Sequence, residues 1–172
     1  MGRTYGGGGG TMTSKGPGLA GIMKYVVFAL IIAFVALLMM YVSGSSRPYE
    51  KVRQSVENAL DKDSLTEQNM AAFKRNFNLN AADYAGVMYY STGANISAEE
   101  VLLIKVKNDR QIQEVTAAVE QRIESRINDF EGYAPDEVRL LEDSRQSVRG
   151  NYIFYACSPK ADEYMSAFNS SL

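Results

Sequence analysis

The residues able to do chemistry are few, and their types restrict what this chain can carry out. In 172 residues there is no histidine, no tryptophan and a single cysteine, Cys157. Imidazole general bases, zinc sites built from His and Cys, and internal disulfides are therefore excluded. Carboxylates stand side by side at Glu99/Glu100, Asp136/Glu137, Glu142/Asp143 and Asp162/Glu163. A glycosidase needs two carboxyl groups facing each other about 5–10 Å apart across the scissile bond, which adjacent residues rarely achieve. Helix-start or solvated-face charge is the expectation for all four pairs. A serine nucleophile would need a lysine or carboxylate as its base, yet neither Ser-x-x-Lys nor Gly-x-Ser-x-Gly occurs. No catalytic residue, metal ligand or cofactor site is expected, and an enzyme is the minority reading.

Cys157 falls in a stretch that reads as the last strand, where a small buried hydrophobe is the ordinary role; an intermolecular disulfide is the sharper alternative. The eleven tyrosines carry more information. Tyr84, Tyr89, Tyr90, Tyr133, Tyr152 and Tyr155 lie on or beside expected strands and form the candidate interaction surface, since exposed aromatics hold sugars and partner proteins. Against that stands plain strand packing with the hydroxyls reaching solvent.

The elements that must position these residues begin with a membrane segment. From Tyr25 to Val42 every residue is apolar or aromatic, and Leu19–Met23 extends the run past Lys24. At ~1.5 Å per residue this is enough to cross ~30 Å of hydrocarbon. Lys24 can snorkel near one end, and Tyr25 and Tyr41 bracket the run where interfacial aromatics are expected. A cleaved signal peptide is the rival, but its apolar region would usually be only ~7–15 residues long. Basic residues nearly tie across the segment, with Lys15 and Lys24 before it and Arg47, Lys51 and Arg53 after it. The short preceding tail favours a cytoplasmic amino terminus. The run Gly6–Gly10 lacks a preceding strand and a Gly-Lys-Ser/Thr, so it reads as a flexible linker.

The expected organisation is a glycine-rich tail over 1–20, a transmembrane helix over 21–43, a linker over 44–48 and an extracytoplasmic α+β domain over 49–172. Residues 47–172 hold 15 basic and 20 acidic residues, a balance that argues against nucleic acid as a partner. Val52, Val56, Ala59 and Leu60 mark a short amphipathic helix ending near Asp61. Ser64-Leu65-Thr66-Glu67 matches a capping box and predicts a second helix, with Met70, Phe73 and Phe77 on its apolar face. Strands are predicted over Gly86–Thr92 and Val101–Lys107, the latter with Leu102, Ile104 and Val106 turned to one covered face. Ile112, Val115, Val119, Ile123, Ile127 and Phe130 step by three or four residues and predict a long covering helix from about Asp109 to Phe130. Gly132 suits its end, and Pro135-Asp136-Glu137 opens a further short helix. Two strands near Ser144–Arg149 and Tyr152–Ser158 are predicted to join across Gly150-Asn151, ahead of a terminal helix. The fold class is therefore α+β: an antiparallel sheet of about four strands covered by one long amphipathic helix plus short helices.

Three stretches, Asp83–Tyr90, Glu99–Lys107 and Phe130–Pro135 continuing through Gly150-Asn151-Tyr152, together resemble the bacterial family of domain of unknown function 4358. The resemblance covers roughly Pro48 to Phe168. It implies an exported protein, tethered in many members as a lipoprotein of Gram-positive bacteria; here no cysteine ends the hydrophobic segment, so a helix would replace the lipid. It carries no catalytic residues. It also implies an association with membrane-bound O-acyltransferases and partner proteins of surface-polymer modification. The function expected on this basis is a non-catalytic, membrane-tethered accessory domain that binds a protein of an envelope assembly. A surface polysaccharide-binding module is the alternative, and an unrecognised hydrolase or acyl-transfer enzyme the third reading.

Overall fold

The computed structural model describes residues 1–2, 6–7, 19–42, 47–94 and 96–172, and within the first helix it describes the side chains of 23–35. The chain divides into two units, Met1–Tyr41 and Val42–Leu172. In the first, helix α1 (Leu19–Val42) runs unbroken for 24 residues, with Lys24 its only charged residue. The side chains of Met23–Val35 are all exposed. Among the described residues no helix is long and apolar enough to cross a membrane. The span expected over 21–43 extends into side chains outside the described residues, as do most of the tail over 1–20 and most of the linker over 44–48.

The second unit is a mixed α+β fold around one five-stranded antiparallel sheet. Its elements are α2 (Tyr49–Ala59), β1 (Thr66–Glu67), α3 (Met70–Phe77), a 3-10 turn at Ala81–Asp83, β2 (Gly86–Ser91), β3 (Glu100–Lys105), α4 (Arg110–Phe130), α5 (Pro135–Glu142), β4 (Arg145–Arg149), β5 (Tyr152–Cys157) and α6 (Ala161–Ser171). The strand order is β1-β2-β3-β5-β4. β3 and β5 are therefore central, and every one of their residues except Lys105 is buried.

Strand geometry sends alternate side chains to opposite faces, and here both faces are covered. Tyr89, Leu102, Ile104, Ile153, Tyr155 and Cys157 pack with Phe73 and Phe77 of α3 and Val115 and Val119 of α4. Met88, Val101, Leu103, Tyr152 and Phe154 pack on the other side with Val52 and Val56 of α2 and Tyr164 and Phe168 of α6. The expectation of a single covered face is corrected on this point. The run Val101-Leu102-Leu103-Ile104 is continuously apolar because α2 and α6 occupy the side that a half-exposed sheet would leave to water.

A second correction concerns Ser64–Glu67. Thr66 and Glu67 do not enter a helix but pair with Ser91 and Tyr90 as the short edge strand β1, which gives the sheet its fifth strand. The helix starts three residues later, where Asn69 accepts the Ala72 backbone N–H on its Oδ1 at 2.9 Å. A side-chain oxygen bonded two or three residues ahead is what a helix start requires, and Asn69 supplies it as well as serine would. Gly132, at φ 88°, and Gly150, at φ 57°, occupy the left-handed region at the α4 terminus and in the β4–β5 hairpin, as the sequence predicts. Gly86 is required for another reason: a Cβ there would stand 2.5 Å from the ring of Tyr49, so α2 seats directly on the bare backbone of β2.

Candidate functional site

β3 opens with Glu100, whose parity with Leu102 and Ile104 turns it toward α3 and α4. It is 2 % exposed. A buried carboxylate must be paired and hydrogen-bonded or it would lose its charge, and Glu100 is surrounded by donors. Tyr89 Oη donates to its Oε2 at 2.9 Å and Tyr155 Oη to its Oε1 at 3.3 Å. Arg122 of α4 donates from Nε to both oxygens and from Nη2 to Oε2 at 3.1 Å. Asn76 of α3 extends the chain by donating to the Tyr89 hydroxyl at 2.7 Å. Helices α3 and α4 thus meet the sheet through one polar network set into an otherwise apolar core.

This network forms the floor of a polar cleft of about 360 Å³, between α3, α4 and the segment joining β2 to β3. Arg75 and Arg126 line it above the floor. Arg126 Nη2 donates to the Ser97 carbonyl at 3.0 Å, and Nη1 lies 3.5 Å from Asp129. Its guanidinium stacks 4.2 Å from the Phe130 ring centroid, while Arg122 lies 5.9 Å from that of Phe77. Glu99 turns the other way along the chain, and its Oε2 accepts from Ser158 Oγ at 3.0 Å.

Both sides of the network show in the electrostatics. Burial, and then the charge of Glu100, push the Tyr89 hydroxyl up to about 12 and that of Tyr155 well above its ordinary value. Burial pulls the Arg122 guanidinium down, but the charge and hydrogen bonds of Glu100 together raise it above its ordinary value. Glu100 is consequently held as an acceptor for three partners. A general base must offer a free lone pair to a substrate proton, and both oxygens of Glu100 are already occupied. Among the described residues no group of His, Cys, Asp and Glu could hold a metal ion.

The six tyrosines singled out in the sequence are dispersed. Tyr89 and Tyr155 meet at Glu100, inside the core. Tyr90 and Tyr152 lie on the opposite sheet face, their hydroxyls donating to Glu57 and to the Arg47 carbonyl. Tyr84 is buried beside the start of β2, and only Tyr133 is exposed, against Phe130 beyond the end of α4. They form no common exposed face. The expectation that Glu99/Glu100 is solvated-face charge is corrected: Glu100 is the centre of the site. Arg122 and Arg126 were also missed, although 115, 119, 122, 126 and 130 continue one stripe of α4 at helical spacing, which was the available signal.

The family model described as domain of unknown function (DUF4358) matches residues 58–158. The chain belongs to this family. The matched span of the DUF4358 domain contains all five strands and every residue lining the cleft, from Gln68 to Arg126. No curated protein and no solved structure matches the chain.

Alkaline pH probes the buried hydroxyls and thiol of this DUF4358 domain. Burial also raises the Cys157 thiol to about 12, whereas in an unfolded chain cysteine titrates near ~8.5 and tyrosine near ~10. Folded values raised above unfolded ones mean that the associated stability is complete below about pH 8.5 and is lost as the pH climbs toward about 12, because only the unfolded chain releases these protons. The melting temperature is expected to fall steadily from pH 8.5 to 11, with Cys157 resisting iodoacetamide at pH 9 until the domain unfolds. A flat melting temperature over that interval would contradict the burial of these groups.

Proposed function

We propose that this chain is a non-catalytic accessory domain of the bacterial cell envelope, tethered by α1 with its amino terminus in the cytoplasm and its folded domain outside, and that it binds a component of an envelope-polymer assembly at the polar cleft. The observation that carries this reading is the closed network at Glu100. It gives the cleft a rigid floor whose acid, hydroxyls and guanidinium are bound to one another and not poised on a reacting atom. Support for the tether comes from the sequence, where every residue from Tyr25 to Val42 is apolar or aromatic and Leu19–Met23 extends the run past Lys24, a length that at ~1.5 Å per residue suits a bilayer. A protein of that assembly is the leading occupant. The surface-polysaccharide reading rests on the cleft, since its volume lies at the small-ligand end of the usual range.

The test is capture from gently solubilised membranes through a carboxyl-terminal tag, comparing the native chain with Arg75→Glu. Arg75 lies on the exposed side of α3, so this change leaves the core intact. The expected result is recovery of envelope-assembly proteins by the native chain and their loss from the variant. Equal recovery by both would remove the cleft from the interaction, and recovery of the chain alone would defeat the accessory reading.

A further inference from the structure

We infer that the cleft is an oxyanion receptor, whose ligand presents a phosphate or carboxylate group to the three guanidinium groups of Arg75, Arg122 and Arg126. This rests on the reading of the cleft as a binding site and adds the chemistry of what it binds.

The argument starts from charge. The domain carries an excess of acids, yet three arginines from two helices converge on this one concavity. The two carboxylates that line it are both engaged: Glu100 by Tyr89, Tyr155 and Arg122, and Glu99 by Ser158. Donors remain. Arg122 spends Nε and Nη2 on Glu100, which leaves Nη1. Arg75 makes no hydrogen bond or ion pair among the described residues, while Arg126 holds only a backbone carbonyl and an exposed aspartate.

Two of the three guanidiniums are also preorganised. Glu100 and the Phe77 ring fix the plane of Arg122, and Phe130 and the Ser97 carbonyl fix that of Arg126. Side chains already held by packing lose less entropy on binding. A planar fork of donors matches a carboxylate or phosphate in bidentate fashion, and arginine serves such groups better than any other residue. A neutral sugar would be served instead by an open aromatic platform. The one tyrosine lining the cleft, Tyr89, is fully buried with its hydroxyl committed.

The experiment uses the full chain in a polyoxyethylene-ether detergent, which carries neither phosphate nor sugar, at constant ionic strength. The side-chain Nε–H resonances of Arg122 and Arg126 are followed by NMR while inorganic phosphate, acetate or glucose is added. Saturable shifts with phosphate or with acetate are expected, and the anion that saturates at lower concentration tells a phosphate ligand from a carboxylate one. Arg75→Glu is expected to weaken that response about tenfold or more, the loss of one charge-assisted contact. Saturation by glucose alone, shifts that never saturate, or an unchanged response in Arg75→Glu would each overturn the proposal. If the anions fail while capture of assembly proteins still depends on Arg75, the ligand chemistry falls and the accessory reading stands.

Discussion

Replacing Arg122 with alanine is expected to destabilise the domain by about 3–5 kcal/mol, the usual consequence of leaving a buried charge without its partner. Glu100 would keep only two tyrosine hydroxyls as donors, at 3 % side-chain exposure. Urea unfolding of the full chain, followed by the near-ultraviolet circular dichroism of its tyrosines, measures the loss. The same reasoning predicts an asymmetry. Glu100→Gln alone should cost less than Arg122→Ala, because the guanidinium is 17 % exposed and lines the cleft, where solvent can take over. Moreover, Glu100→Gln introduced into the Arg122→Ala background should be stabilising, since it removes the stranded charge while its amide oxygen accepts from one tyrosine hydroxyl and its amide NH2 donates to the other. If the double variant were less stable than Arg122→Ala, the ion pair would not be the term that holds this network together.

The parts of the fold that repeat a period were legible, and the parts decided by two-sided packing were not. Val115, Val119 and Phe130 mark α4 without structural knowledge, and the observed helix spans Arg110–Phe130 against an expectation of 109–130. Gly150 locates the last hairpin because a positive φ is a local requirement. Ser64–Glu67 shows the limit of local rules. A capping pattern states that a helix could start there, but pairing of Thr66 and Glu67 with β2 and a second cap at Asn69 decide that it does not. Glu100 failed for a related reason. Taken beside Glu99 it looks like surface charge, and only its parity with Leu102 and Ile104 turns it inward, where arginine and two tyrosines from distant parts of the chain complete it. The tyrosines were overread in the same way, because the pattern of a strand does not reveal that helices cover both of its faces.

The opposite sheet face offers the complementary prediction. Phe154→Ala is expected to destabilise the domain by about 3–5 kcal/mol, the range for emptying a fully buried phenylalanine site. Phe154 is wholly inaccessible in the middle of β5, across from Leu103, and stacks on Phe168 of α6 with ring centroids 5.0 Å apart and planes 11° from parallel. The rings belong to the layer that joins the sheet to α2 and α6, and none of its members lines the cleft except through the backbone order of the sheet itself. Two variants of equal thermodynamic damage should therefore part company in binding. Under conditions where both remain folded, Phe154→Ala should hold the anion as the native chain does, and Arg122→Ala should not. Loss of binding in both, at equal folded fraction, would mean that the two faces are coupled through the central strands, and the cleft would then report on the whole domain instead of on its own side chains.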